Sequence, residues 1–125
     1  MRDCIFCDLR NDSERPVLAS TLNFIAVRDK YPVNTGHTLL IPFRHVTRVG
    51  DFTAEEWTEL WSLLRKVQEL LRAEGAQGFN IGINEGEAAG QTIEHFHVHI
   101  IPRFVGDVER PRGGIRNLKR AEVEY

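Results

Sequence analysis

The sequence has little sulfur, almost no net charge and no long apolar run. Two of its 125 residues are cysteine and one is methionine. No apolar stretch approaches the roughly 20 residues needed to span a bilayer, and the chain begins Met1-Arg2-Asp3-Cys4, without a hydrophobic signal segment. Lys and Arg number 16 against 18 for Asp and Glu, so nothing global favours a membrane or nucleic-acid partner. We therefore expect one cytoplasmic domain.

The two cysteines, Cys4 and Cys7, form a Cys-x-x-Cys pair near the start of the chain. In a cytosolic protein such a pair is more typical of free thiols or metal ligands than of a structural disulfide. The spacing allows both sulfurs to bind one zinc ion or to form a redox pair. A thioredoxin-like motif needs a preceding strand, for which three residues leave no room. A zinc site needs two more ligands from elsewhere in the chain.

Three of the five histidines, His95, His97 and His99, alternate with apolar residues. In a strand, a period of two places the three imidazoles on one face and the apolar side chains on the other. Such imidazoles can ligate a metal, carry protons near neutral pH, or attack phosphorus or carbon. A polar edge of an antiparallel sheet is the simpler alternative. Strict alternation directly after a Gly-Gln-Thr turn favours a functional site.

The remaining hydrophobic patterns predict an α+β fold with an antiparallel sheet of about five strands and one long helix. A short N-terminal helix is also expected. The predicted strands besides the histidine segment are residues 17–20, 24–28, 37–42 and 79–84.

Residues 53–74 predict the long helix. Thr53 and Glu56 form a capping box, and Gly75 is well placed to end the helix. The apolar stripe, which we expect in the core with part available to a subunit interface, consists of Trp57, Leu60, Trp61, Leu64, Val67 and Leu71.

The segment from His95 to Ile101 resembles the His-x-His-x-His motif, with apolar x, of the histidine triad (HIT) family. That family consists of nucleotide hydrolases and nucleotidyl transferases. The similarity runs from Cys4 to about Asp107 and implies a single HIT-like fold. It also implies a homodimer in which the long helix and an adjoining strand meet across a two-fold axis.

The resemblance implies roles for individual residues. His97 matches the nucleophile that attacks the α-phosphorus and becomes a nucleotidyl-histidine, and His99 matches the histidine that contacts the phosphate. His37 matches a fourth histidine near the nucleophile. The positions implied to bind phosphate or ribose are Asn84, Gln91, Thr92 and Asp29. Asp29 also suits a turn, since it precedes a Tyr-Pro pair.

The resemblance assigns the other two histidines to a metal. In some bacterial HIT proteins, a Cys-x-x-Cys pair, a histidine after the strand proline and the first triad histidine bind a structural zinc. The matching residues are Cys4, Cys7, His45 and His95. Two thiolates and two imidazoles form a closed tetrahedral zinc site.

The chain divides into a HIT-like catalytic domain at residues 1–107 and a basic tail at 108–125 that belongs to the same domain. Pro111 and the glycine pair after Arg112 argue against regular structure in the tail. The tail is either solvated or an arm that covers phosphates or a second subunit.

The positions that select a substrate are mixed. Asn84-Glu85-Gly86 is similar to the nucleoside phosphoramidase branch. The fragile histidine triad branch is instead similar at residues 88–92 and at the Pro102-Arg103 and Gly106-Asp107 pairs. The leading hypothesis is a hydrolase of dinucleoside polyphosphates or related nucleotide conjugates. The alternatives are a phosphorylase or phosphoramidase using the same site, or a non-catalytic, zinc-stabilised nucleotide-binding module. Catalytic zinc held by the triad is disfavoured, because the thiol pair competes for His95.

Overall fold

The computed structural model of the protein describes residues 4–9, 12 and 14–119. Its regular elements confirm the predicted α+β class. They are β1 (Val17–Ser20), β2 (Phe24–Arg28), β3 (Thr38–Pro42), α1 (Ala54–Ala73), β4 (Gly78–Gly82) and β5 (Val98–Arg103). Within these residues no helix is long and apolar enough to cross a membrane.

The five strands form one antiparallel sheet in the order β1-β2-β3-β5-β4. The chain after α1 therefore returns to the far edge as β4 and then inserts β5 beside β3. In this register His99 of β5 lies opposite Leu39 of β3 and Gly82 of β4. The segment around His37, just before β3, is thereby brought next to His99 of β5.

The sheet has two covered faces, and the residue alternation along its strands decides which side chains each face receives. Phe96, Val98 and Ile100 pack against α1 with residues that include Leu40. Leu39 and its β2 and β3 neighbours on the opposite face pack against the N-terminal residues Cys4, Phe6 and Leu9. His97 and His99 belong to this second face, since they alternate with the side chains under α1.

The long helix begins and ends as predicted. Thr53 Oγ1 accepts the Glu56 N–H while the Glu56 carboxylate accepts the Thr53 N–H. Gly75 has a φ of +109°, which suits glycine just past a helix end. The predicted stripe is wrong at Trp61, which is 62% exposed, whereas the unpredicted Leu63 is 2% exposed. Leu63 falls between Leu60 and Val67 on the buried side of the 3.6-residue repeat.

Several details differ from expectation: β3 begins at Thr38 rather than His37, and β4 spans Gly78–Gly82 rather than residues 79–84. β5 begins at Val98, so His95 and His97 precede the strand. Of the expected short N-terminal helix, the described part has turns at residues 5–8 followed by Leu9 in 3₁₀ conformation, and the next residues, 10 and 11, lie outside the described part. In the tail, Gly114–Arg116 form a 3₁₀ turn beside β4. The domain boundary at residue 107 stays a prediction, and residues 120–125 lie outside the described part.

Candidate active site

A cavity of about 310 Å³ opens on the sheet face opposite α1. It is lined by polar residues from five separate segments of the chain, together with an apolar wall that includes Phe6. All seven residues predicted to bind or transform a substrate line this one cavity: Asp29, His37, Asn84, Gln91, Thr92, His97 and His99.

The imidazole of His97 is hydrogen-bonded to the backbone carbonyl of His95. Its Nδ1 lies 2.8 Å from the carbonyl oxygen of His95. A carbonyl only accepts, so Nδ1 carries the hydrogen and the lone pair of the neutral ring is on Nε2. The ring of Phe6 packs edge-on against the His97 imidazole, with centroids 5.1 Å apart. These contacts fix both the tautomer and the orientation of a nucleophilic nitrogen.

His37 and His99 form a hydrogen-bonded pair whose tautomers follow from a backbone amide. The Val33 N–H donates to His37 Nδ1 at 3.0 Å, so the hydrogen of the neutral ring is on Nε2. That N–H donates to His99 Nδ1 at 3.0 Å. The remaining nitrogen of His99, Nε2, therefore carries its own hydrogen and is a donor.

Burial keeps this pair neutral at pH 7. The pKa of His99 is lowered to about 4, mainly by desolvation and also by the neighbouring His97 and His37, while Asp29 opposes the shift. Burial also lowers the pKa of His37, against the attraction of Asp29, whose Oδ2 lies 3.3 Å from His37 Nε2. The His99 donor is thus available without a net charge on the ring.

Asp29 and Gln91 also stabilise the backbone around the cavity. Asp29 Oδ1 accepts the Tyr31 N–H at 2.9 Å, which is the turn contact expected for an aspartate before Tyr-Pro. Gln91 accepts the Gly86 N–H at 2.8 Å and donates to the Ile93 carbonyl at 3.2 Å. Gln91 therefore orders the loop that brings Thr92 to the cavity wall.

The predicted metal ligands converge beside this cavity. Cys7 Sγ lies 3.2 Å from His45 Nδ1, and Cys4 Sγ lies 3.4 Å from His95 Nδ1. All four ligand atoms lie within 4.8 Å of one another. His95 Nε2 lies 2.8 Å from the Pro42 carbonyl, so that nitrogen donates and Nδ1 keeps a lone pair facing the sulfurs. Two sulfur and two nitrogen donors fit a structural zinc.

Among the cavity residues that the sequence did not predict, Arg15 is the buried charged one. Arg15 lies in the segment interpreted as a polar loop, yet it is only 8% exposed and lines the cavity. The hairpin register contains a signal for it. Val17 pairs with Val27, so the residues two positions outside that pair, Arg15 and Asp29, lie side by side.

Comparison with known proteins identifies the class. A profile of the HIT domain matches residues 10–106. An uncharacterised HIT-like protein of Methanocaldococcus jannaschii is 36% identical over 96% of this chain and 95% of its own. A crystal structure of a zinc-bound histidine triad family protein from Mycobacterium smegmatis has a TM-score of 0.76 and 33% identity, covering 84% of this chain and 78% of the other. The chain belongs to the HIT family.

Two relatives with named activities are longer proteins. The asymmetrical bis(5'-nucleosyl)-tetraphosphatase of Schizosaccharomyces pombe is 48% identical over 61% of this chain, which is 42% of that enzyme. An AP-4-A phosphorylase of Mycobacterium tuberculosis is 37% identical over 78% of this chain and 51% of the enzyme. The chain thus spans about half the length of these named relatives.

Proposed function

We propose that the protein is a nucleotidyl hydrolase that cleaves dinucleoside polyphosphates, or related nucleotide conjugates, at the α-phosphorus. The observation that carries the proposal is the hydrogen bond from His97 Nδ1 to the His95 carbonyl, which leaves Nε2 as a nucleophile in the cavity. The names of the tetraphosphatase and phosphorylase relatives support the substrate class.

In the first step, Nε2 of His97 attacks the α-phosphorus and the bond from phosphorus to the leaving oxygen breaks. The ring becomes an N-phosphorylated imidazolium whose Nδ1–H stays bonded to the His95 carbonyl. His99 Nε2–H donates to an oxygen of the same phosphate, where negative charge increases. In the second step, water attacks the phosphorus, the P–N bond breaks, and a nucleoside monophosphate is released with His97 restored.

A structural zinc bound by Cys4, Cys7, His45 and His95 is part of this proposal. When bound, it supplies a cross-link between the N-terminal segment and the start of β5, with no open position for a substrate. His95 connects the two sites, since its side chain contributes a metal ligand and its carbonyl orients His97.

Two alternatives use the same residues. With inorganic phosphate in place of water the enzyme is a phosphorylase, which the AP-4-A phosphorylase relative favours. With a phosphoramidate as substrate it is a nucleoside phosphoramidase, which the similarity of Asn84-Glu85-Gly86 to that branch of the family favours. A non-catalytic, zinc-stabilised nucleotide-binding module keeps the metal ligands and does not need His97.

The experiment is a turnover assay on diadenosine polyphosphates, nucleoside phosphoramidates and nucleotide sugars, each with and without inorganic phosphate. We expect His97→Ala to abolish turnover while nucleotide binding is retained. Lys66→Gln is the control and keeps full activity, because Lys66 is exposed on α1 and points away from Trp61. Full activity in His97→Ala contradicts the hydrolase, and binding by the wild type without turnover of any substrate favours the binding module.

We also propose a cytoplasmic homodimer. Trp61 supports an interface on α1, because it is the large apolar side chain of the helix that is most exposed among the described residues. Light scattering on the wild type and on Trp61→Glu tests it. A dimer that becomes monomeric in the variant supports the proposal, whereas a monomeric wild type contradicts it.

A further inference from the structure

Among the described residues, Arg15 is a buried cation without an ion-pair partner. Its side chain is 8% exposed, and its Nε is fully buried without a hydrogen-bond partner. No carboxylate in the described part of the chain forms an ion pair with it. A buried guanidinium is costly unless acceptors meet its donors. Since Arg15 lines the active-site cavity, a bound molecule is in a position to provide those acceptors.

The sheet order places Arg15 at the opposite end of the cavity from the nucleophile. Val17 pairs with Val27, and the Arg28 N–H donates to the Pro16 carbonyl, so Arg15 lies across from Asp29. Asp29 N–H in turn donates to the carbonyl of His37. Arg15, Asp29 and His37 therefore lie side by side at one end of the sheet, and His99 of β5 follows diagonally, hydrogen-bonded to His37.

Arg15 is too far from His97 and His99 to contact the same phosphate group. Strands in a sheet lie about 4.8 Å apart, so the backbone at Arg15 is roughly 14 Å, or three strands, from β5. With the α-phosphorus at His97, and Asp29 next to the sugar as the family resemblance implies, the nucleobase extends toward Arg15. Ile5, Phe6 and Tyr31 line the same cavity and provide apolar surface for a flat ring.

The chemistry of the guanidinium selects among bases. Arginine has five N–H donors and no acceptor. Guanine presents two adjacent acceptors, O6 and N7, on one edge, whereas adenine presents the acceptor N7 beside the N6 amino donor. We infer that Arg15 is a specificity-determining residue that binds the O6/N7 edge of guanine, so that the enzyme prefers guanine nucleotides over adenine nucleotides. This inference rests on the proposed function.

The test measures binding of guanosine, inosine and adenosine monophosphates by calorimetry, since monophosphates are products and are not turned over. Inosine keeps O6 and N7 but lacks the 2-amino group of guanine. The wild type should bind the guanosine and inosine compounds about 10-fold more tightly than the adenosine compound. Equal affinity for all three overturns the inference and leaves the proposed hydrolase intact. Failure of all three to bind overturns both.

Two variants assign the preference to Arg15. Arg15→Met should remove the roughly 10-fold preference by weakening guanosine and inosine monophosphates alone. Arg15→Gln should reverse it, because an amide pairs with N6 and N7 of adenine. The control is Lys66→Gln, which removes one positive charge from an exposed position of α1 and should keep the wild-type order. Equal weakening of all three nucleotides in both Arg15 variants would mean contact with phosphate or sugar and would refute base recognition.

Discussion

Removal of zinc should detach the N-terminal segment without unfolding the sheet. Phe6 and Leu9 are buried, and each contributes about 1.5–3 kcal/mol when fully buried, or roughly 3–6 kcal/mol together. Ordering the backbone of residues 4–9 costs about 1 kcal/mol or more per residue, which is roughly 6 kcal/mol. Packing alone therefore offsets the ordering cost at best and falls short by up to about 3 kcal/mol at the lower limit of that cost, a deficit well within the roughly 10 kcal/mol that a structural zinc supplies.

Hydrogen–deuterium exchange with mass spectrometry measures this detachment, comparing zinc-loaded protein with protein treated with a chelator. We expect peptides covering residues 4–9, including the Cys7 amide that donates to the Cys4 carbonyl at 3.2 Å, to exchange fully after chelation. Peptides from α1, which packs on the other face, should exchange as before. Adding zinc back should restore protection in the wild type.

Cys7→Ser provides the matched test in excess zinc. If the cross-link is correct, this variant behaves like chelated wild type at residues 4–9 although zinc is present. Equal protection of the segment with and without zinc would refute the reasoning, because packing would then suffice. Because Phe6 contacts the His97 ring, detachment should also lower turnover.

Three further predictions concern stability and are read from urea unfolding. Leu63→Ala should cost about 2–5 kcal/mol, while the exposed Leu118→Ala changes stability by less than about 0.5 kcal/mol; similar losses in both contradict the packing described. Thr53→Ala should cost about 1 kcal/mol through loss of the cap, and an unchanged midpoint would be inconsistent with it. Because the pKa of His99 is lowered to about 4 from about 6.5 in the unfolded chain, the unfolded state takes up this proton first. Its stability contribution is present above about pH 6.5 and lost toward pH 4, so His99→Asn should flatten the pH dependence in that window; an unchanged slope contradicts the lowered pKa.

Local patterns in the sequence predicted the elements well where one short segment carries the signal. The capping box at Thr53 and the two-residue alternation after His95 each need only a few neighbouring residues to be interpreted. The predicted burial of Trp61 was wrong, because periodicity gives the direction in which a side chain points from the helix and not how far the sheet extends beneath it. The predicted start of the histidine strand was too early, because the alternation of histidine and apolar residues begins in an extended segment that precedes the first residues paired with β3 and β4.

The candidate site depended partly on the resemblance and partly on pairings that a single segment does not contain. The grouping of Cys4 with His95 came from the family pattern, and the structure brings their side chains together. Arg15 was missed because its place in the cavity follows from the β1–β2 register and from burial. The His37–His99 hydrogen bond joins segments 62 positions apart, and its direction depends on the Val33 amide.

The most direct test of the proposed mechanism is mass spectrometry on enzyme that has been quenched with acid-free denaturant during turnover of a dinucleoside polyphosphate. We predict one nucleoside-monophosphate adduct, located on the peptide that contains His97 and absent from His97→Ala. The same peptide should be unmodified once the substrate is exhausted, because water releases the nucleotide. An adduct on another residue, or turnover with no covalent adduct at any time under rapid quenching, would contradict a nucleotidyl-His97 intermediate.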